Sequence, residues 1–161
     1  MSLIIIRYIL IFQNILNIYD CFDFYQKEEF MKGRNQITCN YCHKKTNAKS
    51  QAKIIICPNI LVINLDRGKE PNNDIKLNYE EFLELHNYIY NQKTKNYYEL
   101  IGVISFSESL DINGDFIAFC RNSDNGKWYK FNDEIVTETN FHEVIDFGEP
   151  YTMFYNYVNV E

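Results

Sequence analysis

The sequence predicts an α+β domain built on a largely antiparallel sheet. Short apolar runs rich in β-branched and aromatic residues recur along the chain, divided mostly by short polar turns. Thirteen Tyr and twelve Phe among 161 residues favour half-buried, pleated faces. Only two stretches show apolar residues at helical spacing. No internal repeat or shift of composition marks a second domain, and the length suits one domain or part of a larger one.

Taken in order, the elements are these. "MSLIIIRYILIF" is too short and too broken by Arg7 for a membrane helix of about 20 residues. It has the apolar core of a signal peptide, but no small-x-small cleavage pattern follows, so a buried strand is expected. From Phe22 to Gly33, the spacing of Phe22, Tyr25 and Phe30 predicts a short helix. A polar turn, "CNYCHKKTNAKSQ", leads to two apolar runs, Ile54 to Cys57 and Ile60 to Leu65, divided by Pro58 and Asn59. Both read as strands, central to a sheet. Residues 68–74, "GKEPNND", form a surface loop. Asn78 with Glu81 resembles a capping box, and Phe82, Leu85 and Ile89 would then share one face of a helix over 79–90. After the polar "NQKTKN" come a strand "YYELIGVISF", a loop "SESLDING", a hairpin "DFIAFCRN–SDNGK–WYKFN" and a last strand "PYTMFYNYV".

Charge and cysteine usage narrow the function. A net charge of −6 with no Lys/Arg cluster argues against a nucleic-acid partner. Five irregularly spaced cysteines without a secretory signal point to a reducing, intracellular compartment, cytoplasmic or nuclear, and no membrane partner is expected.

The hairpin over 113–133 carries the chemistry. Asp115 stands at the mouth of a strand behind Gly114, and Asn132 lies on the strand that returns beside it. A His at the first position and an Asn or Asp at the second would make a general base and its orienting partner. The first position holds a carboxylate instead.

From about Ile18 to Val158 the chain resembles the C-terminal half of a ubiquitin-specific protease, a ubiquitin carboxyl-terminal hydrolase of papain-like fold. The match runs in order through "NIYDCFDFY", "CNYC", "IIICPNILVINLDR", "YYELIGVIS", "NGDFIAFCRN", "KWYKFNDEIVTE" and "PYTMFYNY". Residues 1–17 match poorly. The resemblance implies the antiparallel palm and part of the fingers of such a domain. It also implies thiol-dependent hydrolysis after the C-terminal Gly of ubiquitin, with ubiquitin or ubiquitinated proteins as partners and no cofactor. Asn132 matches the orienting position, and Gly114 and Phe116 match residues that grip the ubiquitin tail. Asp115 takes the place of the base His, and Phe106 stands where the family often has another His. The family's nucleophilic Cys box is expected to lie ahead of everything in this sequence.

Asp115 works against that mechanism. The base must be near neutrality to hold a thiolate and protonate the leaving amine. An Asp ionises at about 3.9 against about 6.5 for His, so at neutral pH it is an anion that raises a neighbouring thiol's pKa and has no proton to give. In a comparable serine-protease triad, losing the His costs on the order of 10⁶-fold in turnover. The chain as it stands is therefore expected to be catalytically incompetent, the Asn132 amide donating to the Asp115 carboxylate in a structural pair.

Three alternatives stand beside that expectation: a non-catalytic ubiquitin-binding or scaffold module, a fragment complemented by a chain supplying the missing half, and a degenerate gene. The complementing fragment would expose an apolar face. Among the other cysteines, Cys120 is expected in the core on the face opposite Asp115, with Cys57 and Cys21 buried. His43, His86 and His142 are read as surface or partly packed residues. Cys39 and Cys42 supply half of the four ligands zinc uses, so the turn is expected to hold no metal in this chain.

Overall fold

The computed structural model describes residues 2–7, 15–66, 76–90, 96–107 and 114–158; for residues 2–7, 15, 16 and 66 it describes the backbone alone. In chain order the elements are β1 (Ser2–Arg7), β2 (Ile15–Asn17), α1 (Ile18–Tyr25), β3 (Glu29–Met31), β4 (Ile37–Thr38), β5 (Lys45–Thr46), β6 (Ala48–Ser50), β7 (Ile60–Asp66), β8 (Lys76–Asn78) and β9 (Phe82–Glu84). They continue with β10 (Tyr97–Ser107), β11 (Asp115–Arg121), β12 (Trp128–Asn132), β13 (Ile135–Thr139), α2 (Phe141–Asp146) and β14 (Glu149–Val158).

The main sheet runs β1-β7-β14-β10-β11-β12-β13, with β9 added to one end of β10. All its pairings are antiparallel except β1 on β7. Three two-stranded ribbons, β2–β8, β3–β6 and β4–β5, lie outside it. The expected antiparallel α+β architecture is present, and the strands expected at Ile60–Leu65, at "YYELIGVISF", in the hairpin and near the C-terminus all form. The segments 68–74, 91–95 and 108–113, read as loops, lie outside the described residues.

Two helix expectations are corrected. The first helix covers Ile18–Tyr25, not Phe22 to Gly33. It starts at Asn17, whose side chain accepts from the Tyr19 N–H while Asp20 reaches back to the Asn17 N–H. Ile18, Cys21 and Phe22 then share a buried stripe at i, i+3 and i+4. Phe30 lies beyond it, exposed on β3.

No α-helix forms over 79–90. Asn78 ends β8, and β9 pairs with β10 through Glu84 opposite Tyr97 and Leu83 opposite Tyr98. The backbone groups a helix would use are taken by the sheet: the Glu81 carbonyl accepts from Leu100 N–H at 2.7 Å and the Glu80 carbonyl from the Tyr155 hydroxyl at 2.9 Å. Leu83 and Leu85 are buried at a spacing of two, the strand period, while Phe82 is exposed.

The run Ile54–Cys57 is not a strand either. Ile54 makes a single bridge to Ile89, and Ile55 and Ile56 are exposed. Pro58 stops the ladder from extending back from β7.

The core lies where the paired strands β10 and β14 pack against α1 and the 79–89 segment. Tyr98, Leu100, Val103, Met153 and Tyr155 meet Ile18, Phe22, Leu83 and Leu85 there. Its tyrosines keep their hydroxyls satisfied by backbone carbonyls: Tyr98 donates to Pro58 at 2.8 Å and Tyr79 to Val144 at 3.1 Å. Burial pushes the phenols of Tyr79, Tyr98 and Tyr155 upward, so all three stay protonated.

A candidate tail-binding site at the mouth of the hairpin

The sheet register sets the site. Along β11, Ile117 and Phe119 are buried, while Phe116, Ala118 and Cys120 face the other way. The inner face is covered by α2, with Phe119 against Phe147 at 5.1 Å and Trp128 against Phe141 at 6.2 Å. Asp115 opens the strand on that inner side, exposed and opposite Ser107 at the end of β10.

Asn132 closes β12, exposed and opposite Ile135. Ala118 pairs with Phe131, so the ladder, continued by one residue, brings Asn132 beside Ile117. Asp115 and Asn132 therefore share a face but are diagonal neighbours, about 7–8 Å apart by the usual sheet spacing. No side-chain hydrogen bond joins them among the described residues. The expected Asp115–Asn132 pair is thus placed on one face but left unbonded.

Behind Asp115 the chain turns through Gly114 at φ +54°. A β-carbon there would lie 2.2 Å from Phe106 Cζ, so the Phe106 ring occupies the space over this glycine. Phe106 pairs across the ladder with Phe116, ring centroids 5.1 Å apart, and Tyr151 closes the cluster at 5.2 Å from Phe116 and 6.0 Å from Phe106. Gly148, at φ +53°, lets its backbone approach the Phe106 carbonyl, which a β-carbon would meet at 2.3 Å. Phe116 remains 59% exposed. The site thus offers an aromatic ledge, a glycine and an exposed carboxylate. Composition and strand pattern could not show that Phe106 and Tyr151 join Phe116, because their meeting depends on the β10–β14 register.

Cys120 is exposed, not in the core. It faces Gly102 across the ladder, a partner with no side chain of its own. Partial desolvation still pushes its thiol upward, away from thiolate character. Cys21 is buried as expected. Cys57 is half-buried, its thiol raised by burial despite a hydrogen bond to Tyr98. His86 Nδ1 lies 3.0 Å from a Glu84 carboxylate oxygen and His142 Nδ1 2.9 Å from one of Asp146, so each faces a carboxylate, while His43 is exposed beside Cys42.

Cys39 and Cys42 sit on the turn between β4 and β5. Among the described residues no group of three or more His, Cys, Asp or Glu side chains gathers into a metal site. The two thiols supply two of the four ligands that a tetrahedral zinc takes.

The model of the ubiquitin carboxyl-terminal hydrolase family matches residues 27–155. This chain belongs to the ubiquitin carboxyl-terminal hydrolase family. Ubiquitin carboxyl-terminal hydrolase 8 of Saccharomyces cerevisiae is 31% identical over 157 residues, covering 86% of this chain and 32% of that protein. Ubiquitin carboxyl-terminal hydrolase 48 of Rattus norvegicus is 30% identical, covering 73% of this chain and 12% of its own length. Among solved structures, a yeast SAGA DUBm with a mutant Sgf73 superposes with a TM-score of 0.73 at 30% identity, covering 91% of this chain and 35% of that one. A SAGA Ubp8/Sgf11/Sus1/Sgf73 DUB module bound to ubiquitin aldehyde gives 0.71 at 28% identity, covering 91% and 34%. The chain thus spans about a third of the yeast hydrolases it matches. It has the fold of the corresponding part of a papain-like ubiquitin hydrolase domain, and hydrolases of that family need no cofactor. No helix among the described residues is long and apolar enough to cross a membrane.

Proposed function

We propose that this chain is a ubiquitin-binding portion of a ubiquitin-specific protease domain that holds the C-terminal tail of ubiquitin without hydrolysing the bond after it. The observation that carries the reading is the exposed Asp115 carboxylate at the family's base position, on the same face as Asn132 but not bonded to it. Such a carboxylate raises a neighbouring thiol's pKa and has no proton for a leaving amine at neutral pH. The ledge of Phe116, Phe106 and Tyr151, with Phe106 packed over Gly114, supplies the apolar surface that an extended tail needs. In this reading the partners are ubiquitin and ubiquitinated proteins, and the chain works in the cytoplasm or nucleus. Titrating isotope-labelled ubiquitin with the chain, beside a fluorogenic ubiquitin C-terminal substrate, tests it. Shifts in ubiquitin's C-terminal residues without turnover are expected; turnover that cysteine alkylation abolishes overturns the inactivity, and absence of shifts overturns the binding.

A second reading, in which another polypeptide segment completes the domain, is favoured by the outer face of the sheet. Phe116, Phe131 and Val136 are exposed there, with Phe131 paired to both Ala118 and Val136. An apolar face of this kind marks a surface meant to be covered. Adding a Cys-bearing half-domain of a family member should protect this face from hydrogen exchange; unchanged exchange counts against complementation.

A further inference from the structure

We propose, resting on the tail-binding reading, that Asp115 makes this site a charge filter. It disfavours a ubiquitin tail that ends in a free carboxylate and favours one whose last carboxyl is bonded as an amide. A general base has to reach the proton it moves through one hydrogen bond, or through one water. A side chain at the base position therefore stands about one or two hydrogen-bond lengths from the end of a bound tail. Here that side chain is an exposed carboxylate.

Nothing described in the hairpin neutralises it. Its basic side chains, Arg121, Lys127 and Lys130, are all engaged elsewhere. Arg121 pairs with Glu99 and donates to the Gly126 carbonyl at 3.2 Å. Lys127 meets Glu138 at 2.8 Å. Lys130 shares a face with Asn132, but its Nζ lies over the Phe147 ring, 4.3 Å from the centroid. Where β12 turns into β13, at the end of the sheet from which β11 starts, Asp133 and Glu134 add two more exposed carboxylates. Among the described residues no basic side chain pairs with Asp115.

Two effects then act in the same direction. A free C-terminal carboxylate brings anion against anion, and at about 4 Å in water-like surroundings this weakens binding roughly fivefold. It also offers acceptors alone to a side chain that only accepts, so no hydrogen bond joins them. A carboxyl bonded to a lysine side chain is neutral and carries an N–H. That N–H can donate to Asp115 in a charge-assisted bond. A histidine at 115, neutral or cationic, would not repel the carboxylate. Asp115 is thus a specificity-determining residue for the end of the tail.

The full chain would be titrated calorimetrically with three forms of ubiquitin: the free acid, the C-terminal amide, and ubiquitin joined through its C-terminus to a lysine side chain of a short peptide. Each titration is run at low salt and at about 0.5 M salt, where exposed charges are screened. The amide and the conjugate are expected to bind roughly five- to tenfold more tightly than the free acid at low salt, and the gap should narrow at high salt. Asp115→Asn should bind the free acid more tightly than the parent chain does and nearly abolish the gap. Asp133→Asn, which removes an equal charge nearby, should keep most of it. Equal affinities in the parent chain, a gap that survives Asp115→Asn, or one that Asp133→Asn removes as fully, overturn the filter while leaving tail binding in place. Absence of binding by all three forms overturns the tail-binding reading, and the filter with it.

Discussion

The ring of Phe106 fills the space over Gly114, so that a β-carbon at 114 would stand 2.2 Å from Phe106 Cζ. The contact ties the end of β10 to the turn that launches Asp115. It explains why a glycine is needed here on two counts, the left-handed φ of +54° and the ring above it.

Gly114→Ala should therefore destabilise the chain by about 2 kcal/mol, the cost of a left-handed non-glycine residue plus the displaced ring. Pairing it with Phe106→Ala in a double-mutant cycle separates the two, because removing the ring relieves the clash but not the φ strain. Urea unfolding provides the readout. A coupling near zero would mean that the ring moves aside freely.

Phe116 and Asp115 should separate binding from stability. Phe116 is largely exposed, so Phe116→Ala is expected to cost little stability but to weaken ubiquitin binding by roughly tenfold, as an aromatic anchor does. Asp115→Ala, an exposed carboxylate without a bonded partner, should change stability by no more than about 0.5 kcal/mol. Calorimetric titration with ubiquitin, beside unfolding curves for both variants, decides this. Equal affinity for Phe116→Ala and the parent chain would remove the ledge from the tail site.

Alkaline pH should loosen the packing around α1. Tyr88 lies between Tyr19 and Phe22, at ring distances of 6.1 and 5.2 Å. Burial first, and the charges of Asp23 and Asp20 after it, push its phenol from an ordinary 10.0 up to about 12. A phenol raised in this way holds its proton more tightly folded than unfolded. Its contribution to stability is complete below pH 10 and is lost as pH rises toward about 12. Tyr88→Phe should flatten part of that decline in unfolding curves measured between pH 9 and about 12; an unchanged slope would place the titration elsewhere.

Cysteine accessibility checks the faces of the sheet. In the native chain, Cys42 and Cys120 should react with a small alkylating reagent, whereas Cys21, on the buried face of α1, should react only on unfolding. Mass mapping after a brief pulse distinguishes them. A protected Cys120 would mean that the outer face is covered in solution.

The sequence by itself determined the strands that alternate cleanly, from "YYELIGVISF" through the hairpin to "PYTMFYNYV", because period-two burial is a local property of a pleated chain. It also placed Asp115 and Asn132 on neighbouring strands, and the order of short motifs was enough to recognise the family. Residues 78–90 show where local pattern stopped deciding. Asn78, Glu81, Leu85 and Ile89 carry a helical signature, yet β10 and Tyr155 take the backbone groups that a helix would need. At Ile18–Tyr25 the signal was present and misplaced: Asn17 with Asp20 marks the start, and Asn17 lies five residues before Phe22, the first aromatic at the expected spacing. Cys120 was legible in its direction but not in its burial, since that depends on Gly102 across the ladder and on which face α2 covers. The aromatic ledge and the diagonal offset of Asp115 from Asn132 came only with the tertiary structure. Register between strands distant in sequence is set by the packing of the whole sheet, and no single strand carries it.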